Sequence, residues 1–362
     1  MTAFEDAGGW PGVLVRLFHR QDLGTGLATA VFEEILAGQA QPEQIAAFAA
    51  ALRTKGETVE ELTGFVSAMF AHAELVELGG DLVDTCGTGG DRSGTINVST
   101  MAACVVAGAG GRVCKHGGRA ASSRAGSADV LQALGVVVDL GPSGVRRCVE
   151  EVGFGFCFAP RFHPAMRHAA PVRRRLGAPT VFNLLGPLAN PARANRQVVG
   201  VGEPAMAETI LGVLESNGAV HAMVLYGHDG LDELSTVATS TVLETRLDES
   251  GWRERRSYEV DARELGLPRA ELAELAGGDP EDNARHARAV LDGERGPRRD
   301  VVLLNAAAGL VVAGLAVDLA AGVDLAAATL DSGAAKAALE SLVQVSTEAA
   351  REEAAAIPPG AG

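Results

Sequence analysis

Between Trp10 and about position 79, apolar residues recur at three- and four-residue steps: Leu14, Leu17, Leu23, Leu27, Val31, Ile35 and Leu36. That spacing places an apolar stripe along one face of each of several helices. Gly38, Pro42 and Gly56 break the pattern, so one helix is expected from Pro42 to about Lys55 and another from Val59. From Asp81 to about Gly155 the pattern changes to strand, glycine turn and helix, twice over. One strand is expected to end at Leu82-Val83, a second to cover residues 112–114 and a third residues 155–159. Ser127 is read as the cap of a helix over 128–134, and residues 142–152 as an amphipathic helix. Strands at 197–202 and 221–226 flank a helix over 205–217, and residues 239–260 read as a peripheral antiparallel hairpin turning at Asp248-Glu-Ser-Gly251. Helices dominate from Arg263, with a final strand near Val301 feeding a buried helix. The tail from Ala354, closing on Pro358-Pro-Gly-Ala-Gly, is expected to fray.

Alternating strands and helices imply a mostly parallel sheet with helical cover, whose ligands sit beyond the carboxyl ends of the strands. The fold class is therefore α/β, with a small all-helical domain over residues 1–79 and a larger α/β domain over 80–362. A chain of 362 residues can hold two domains, and 47% hydrophobic with 4% aromatic residues suits Ala/Val/Leu packing. The net charge of −15 opposes nucleic-acid binding and leaves local basic loops to serve small phosphorylated ligands. Cysteines at 86, 104, 114, 148 and 157 show neither metal-ligand nor paired spacing and read as reduced, buried thiols. The start of the chain is acidic rather than basic and then apolar, and residues 301–317 are interrupted by Asn305 and glycines. A cytoplasmic protein is expected.

The chemistry concentrates in two loops. The first, Asp84-Thr-Cys-Gly-Thr-Gly-Gly-Asp-Arg-Ser-Gly-Thr-Ile-Asn-Val-Ser-Thr100, carries glycines at 87, 89, 90 and 94 and runs into a small-residue helix. Asn97, Ser99 and Thr100 stand where a helix cap belongs. Glycine lets an anion approach the amides, and a helix start adds unpaired N–H groups. The loop is not a Walker loop, since no Lys-Ser or Lys-Thr pair follows, and the spacing of a dinucleotide fingerprint also fails. Alone it is equally well an ordinary glycine-rich turn. The second loop holds Lys115, His116, Arg119, Ser122, Ser123 and Arg124 within ten residues, dense in anion donors. Two such cradles after consecutive strands suggest a ligand with two separated phosphate groups.

The runs Gly87-Thr-Gly-Gly-Asp91, Asn97-Val-Ser-Thr100, Lys115-His-Gly-Gly-Arg-Ala-Ala-Ser-Ser123 and Gly126-Ser-Ala-Asp129 resemble the anthranilate phosphoribosyltransferase family. The resemblance extends through residues 49–57, 158–177, Phe182 to Pro191 and Asp229-Gly-Leu-Asp-Glu-Leu234, nearly the whole chain. It implies transfer of phosphoribose from phosphoribosyl pyrophosphate (PRPP) to anthranilate, giving N-(5-phosphoribosyl)anthranilate and pyrophosphate in tryptophan biosynthesis. It further implies that part of residues 163–195 returns to the helical domain as a hinge, and that the helical domain forms a homodimer contact.

Carried over by motif, Gly87, Gly90, Asp91, Thr95, Asn97, Val98, Ser99 and Thr100 would contact PRPP. Lys115, His116, Gly117, Gly118, Arg119, Ala120, Ala121, Ser122 and Ser123, with Ser127, would complete its pocket. Ser99, Asp232 and Glu233 would hold Mg²⁺, a hard cation that prefers oxygen ligands. Gly87, Gly118 and Arg173 would receive anthranilate, Arg173 by gripping its carboxylate. The acceptor is an aromatic amine, neutral at physiological pH, so no residue is assigned as acid or base; His116 reads as structural and His163 as a possible wall of the acceptor tunnel. One departure stands out: the family usually has asparagine where this chain has Gly118, which puts acceptor affinity or identity in question. A paralogue using another aromatic amine, a nucleoside phosphorylase of related fold and a non-catalytic nucleic-acid-binding relative are the competing readings.

Overall fold

The computed structural model describes residues 2–91, 93–120 and 124–356. Its amino-terminal part is helical: Ala3–Asp6, Gly9–Phe18, Gly24–Leu36, Pro42–Lys55 and Val59–Ala71. The breaks follow from local chemistry. Pro42 occupies the first turn of its helix, and Gly56 stops it with φ 93°. Thr58 and Glu61 then cap the next helix reciprocally, hydroxyl to amide and carboxylate to amide.

The remainder is built on one seven-stranded sheet: β1 Val83–Gly87, β2 Val113–Gly117, β3 Phe154–Phe158, β4 Arg196–Gly200, β5 His221–Gly227, β6 Ser240–Leu247 and β7 Arg253–Val260. The order is β3-β2-β1-β4-β5-β6-β7, parallel through β5 and antiparallel for the final hairpin. Strand order reverses between β1 and β4, so their following loops diverge and leave a crevice at the carboxyl ends.

Side chains alternate across the sheet. Val198, Met223 and Leu225 face one core with the helices Val98–Gly108, Pro142–Val152 and Pro297–Val312. Cys86, Val199, Ala222 and Val224 face the other, shared with the amino-terminal helices and Ala207–Ser216. Residues Ala169, Val172, Phe182 and Leu185 join that second core, and Phe182 lies 5.9 Å from Phe32 between ring centres. All five cysteines are free and buried.

Several expected boundaries shift. The first strand begins at Val83 rather than ending there, and β2 extends through Gly117 rather than stopping at Cys114, so both deliver residues of the two loops from within the sheet. The strand expected near Val301 is absent: Pro297–Val312 is one helix. Its leucines and alanines are good helix formers, and a helix buried on all sides reads as a continuous apolar run. Asn97 takes the cap position of its helix, but its side chain makes no capping bond, and Ser99 and Thr100 lie inside the helix. Ser127 is the first helical residue rather than the cap, which is Gly126. The last helix runs to Ala356, while the Pro-Pro-Gly-Ala-Gly end lies outside the described residues. Among the described residues no helix is long and apolar enough to cross a membrane.

Candidate active site

Four parallel strands, β1, β2, β4 and β5, end on glycine: Gly87, Gly117, Gly200 and Gly227. At two of them the reason is close approach by the loop bearing Asp232. A Cβ on Gly87 would sit 2.4 Å from Asp232 Oδ2, and one on Gly200 would sit 1.6 Å from the Asp232 carbonyl oxygen. The loop after β5 therefore lies directly over the ends of β1 and β4. From there Asp232 Oδ2 accepts a hydrogen bond from Gly89 N at 2.8 Å, and Glu233 Oε1 accepts one from Ser99 N at 3.2 Å. The two acids thus brace both ends of the first glycine turn, whose Gly89, Gly90 and Gly94 all take left-handed φ.

The second loop meets the first through β2. Lys115, 2% exposed, donates to the Thr85 carbonyl and, at 3.3 Å, to Ser99 Oγ. His116 Nδ1 lies 2.9 Å from the Gly186 carbonyl, and the His116 and His163 ring centres are 5.2 Å apart. Burial pushes these imidazoles down to about 3 and about 4, so both are neutral at pH 7. Beneath them Asp84, wholly buried, accepts from His116 N and from Asn190 Nδ2 at 2.7 Å. Desolvation raises its carboxyl to about 6 despite nearby Lys115.

Desolvation and the neighbouring Asp91 charge raise Asp232 to about 7, and desolvation with the Asp232 charge raises Glu233 well above the usual carboxylate range. Carboxylates held together against their own repulsion, beside the Ser99 hydroxyl, fit a hard divalent cation that would relieve it. The described residues contain no cluster of three or more acidic, histidine or cysteine groups that would enclose a metal by itself. The donor set therefore suits an ion that completes its shell with phosphate oxygens and water, as Mg²⁺ does. Arg173, in the short helix Ala170–Leu176, has its guanidinium 5.8 Å from the Phe182 ring centre. Desolvation lowers its pKa from the ordinary arginine value, so an arriving carboxylate would meet a charge short of solvent.

Comparison with known proteins identifies the architecture. Residues 11–73 match the helical bundle domain of the glycosyl transferase family and residues 79–336 its a/b domain. The anthranilate phosphoribosyltransferase of Thermomicrobium roseum is 53% identical over 343 residues, 94% of this chain and 98% of that protein. The chain belongs to the anthranilate phosphoribosyltransferase family. A crystal structure of anthranilate phosphoribosyltransferase from Thermus thermophilus superposes with TM-score 0.86 at 43% identity, covering 92% of this chain and 99% of that one. The Saccharomyces cerevisiae anthranilate phosphoribosyltransferase in complex with PRPP and Mg superposes with TM-score 0.85 at 29% identity, covering 94% and 98%.

Of the residues that family resemblance singles out, the structure sets Asp232 against Gly87, and Glu233 and Lys115 each on Ser99. Gly90 and Asp91 extend the same turn, Asp91 Oδ2 accepting from Ser93 Oγ. Thr95 pairs with Ala276 in an isolated bridge, and Asn97 donates to the Ala125 carbonyl while accepting from Asn283 Nδ2. Val98 and Thr100 are buried in the helix that follows the turn. Gly117 abuts Ser127 Oγ, which donates to the Gly118 carbonyl, and Ala120 N donates to Asp129. Arg119 pairs with Asp129 at 2.8 Å and with Gln132. Ala121, Ser122 and Ser123 lie outside the described residues. Arg173 is tied to the cradle indirectly: its partner Phe182 belongs to the segment whose Gly186 and Asn190 contact His116 and Asp84.

Two positioning residues escape a reading of the sequence. Asn190 bonds Asp84 and the Cys114 carbonyl, and its Asn-Pro context within a long motif was the available signal. Asn305 grips both the amide and the carbonyl of Leu234, at 2.9 Å each, and so pins the acidic loop from an otherwise apolar helix.

Proposed function

We propose that this protein transfers the phosphoribosyl group of PRPP to anthranilate with Mg²⁺, releasing pyrophosphate, as a cytoplasmic enzyme of tryptophan biosynthesis. The observation that carries the reading is the joining of three elements into one site: Asp232 and Glu233 on the first glycine turn, and Lys115 on Ser99. Cleaving the bond between the anomeric carbon and pyrophosphate leaves positive charge on the sugar and negative charge on the departing group. The glycine-turn amides and Lys115 supply fixed donors to that anion, and each such donor is worth about 3 kcal/mol in comparable anion sites. Bound Mg²⁺, held by Asp232, Glu233 and Ser99, would neutralise pyrophosphate charge. Arg173 holds the acceptor carboxylate with Gly87 and Gly118 beside it, and the neutral His116 and His163 wall the approach without acting as a base. Orientation of the amine in line with the breaking bond completes the task.

The partners are two small molecules and a second copy of the chain. Val15 and Phe18, 52% and 64% exposed on one amino-terminal helix, support a homodimer contact through residues 1–79, with part of 163–195 packed onto the same helical unit.

The deciding experiment follows product fluorescence with PRPP, anthranilate and Mg²⁺. Turnover should appear with metal and vanish with chelator, and the double variant D232N/E233Q should lose at least about a hundredfold in kcat/KM while keeping its fold. Metal-independent cleavage of a nucleoside by phosphate would instead establish a phosphorylase.

A further inference from the structure

One ionic cluster has no part in that scheme. Arg53, near the end of the helix Pro42–Lys55, directs one guanidinium nitrogen at Glu57, 3.7 Å away, and donates the other to Glu203. Glu57 is only 6% exposed, and among the described residues neither of its carboxylate oxygens has a hydrogen-bond partner outside residue 57. Burial raises its pKa, with Arg53 acting in the opposite direction. Arg53 offsets part of the burial penalty on this carboxylate, so the two side chains hold each other in place. Glu203 comes from elsewhere: it sits in the short loop after β4, on the other side of the junction between the helical unit and the sheet.

That loop underlies the first glycine turn. Gly202 N donates to Thr88 Oγ1 at 3.2 Å, and Thr88 N donates back to the Gly200 carbonyl at 2.8 Å. A Cβ on Gly202 would stand 3.3 Å from both Asp91 N and the Gly89 carbonyl, so loop and turn are in contact along their backbones. A continuous path of contacts thus runs from Glu57 through Arg53 and Glu203 to Gly202, and from there to the turn braced by Asp232.

We propose that Arg53 is a positioning residue for the transfer reaction: it ties the helical unit to the loop beneath the pyrophosphate-side turn, setting that turn for PRPP. The inference rests on the function proposed above. Arg53 touches no reacting atom. Its pair with Glu203 is part-exposed on both sides, 34% and 46%, and such pairs add little to global stability. Its loss acts locally: Glu57 and Glu203 are left facing each other without the shared cation, and Glu203 moves away with its loop.

The test compares wild type with R53Q, E203Q and the double variant R53Q/E203Q in the 362-residue chain. R53Q and E203Q should each raise the KM for PRPP about tenfold with KM for anthranilate little changed, and E203Q, which leaves Arg53 beside Glu57, should keep its melting temperature. The double variant should lose no more PRPP affinity than R53Q alone, measured as Kd by calorimetry with Mg²⁺, because each single change breaks the same link. KM for PRPP within about twofold of wild type in both single variants overturns the inference, as do losses that add in the double variant. Absence of turnover in wild type would overturn the proposed function itself, a result separable from the variants' behaviour.

Discussion

At Gly118 the space around a single residue decides what substitution can do. Among the described residues a Cβ there would meet only the Ala159 methyl, at 3.9 Å, and its φ lies outside the left-handed region. An asparagine is therefore admitted without backbone strain, and the variant G118N should keep its melting temperature while lowering or preserving the KM for anthranilate. A rise of more than about tenfold in that KM would mean that the loop serves another acceptor. The contrast with Gly87 and Gly200 is instructive, since both of those are pressed against Asp232 and Gly118 is not. Lys115 is legible because a charged residue in a glycine-rich run stands out against an Ala/Val/Leu background. Asp232 and Glu233 are singled out only by the Asp229-Gly-Leu-Asp-Glu-Leu234 motif, since adjacent acids alone read as a solvated turn. The sequence hides Asn190 and Asn305, since an amide side chain carries no charge and its partners are backbone groups far along the chain. The pairing of Arg119 with Asp129 is likewise hidden in the sequence, where both residues fall in the runs that carry the family resemblance.

Among elements, the loop between β5 and β6 depends most on its neighbours. It is held by Asn305 from behind and by the missing Cβ of Gly200 from below. G200A would drive a methyl into the Asp232 carbonyl, a clash of backbone with backbone that no rotamer change relieves. We expect this variant to lose about 1–3 kcal/mol of stability, seen in thermal melts, and to lose Mg²⁺-dependent turnover with it. Unchanged melting and turnover would show that the loop can stand elsewhere. Element types are largely readable from period, including the amphipathic helix Pro142–Val152 and the hairpin β6–β7. The exception is Pro297–Val312, and the reason is physical: complete burial erases the polar face that would have given the helix its period.

Over the whole molecule, the buried imidazoles couple folding to pH. His116 and His163 titrate near about 3 and about 4 when folded, against about 6.5 in an unfolded chain. Below pH 6.5 the unfolded state binds protons that the native state refuses, so each ring removes stability as pH falls, by up to about 1.4 kcal/mol per unit. Asp84 and Asp232, raised to about 6 and about 7, act with opposite sign, their stabilisation present in acid and lost as pH rises through those values. The net slope is a difference, and a single variant isolates one part of it. H163N should show a shallower fall in melting temperature than wild type between pH 6.5 and about 4.5, and parallel curves would show that His163 is not held neutral.

The glycine endings of β1, β2, β4 and β5 have a further consequence. At Gly87 and Gly200 the strand ends are bare main chain on which the Asp232 loop is seated, and a side chain at either position would unseat it. Change in what this protein accepts is therefore confined to loops that leave that seat unfilled.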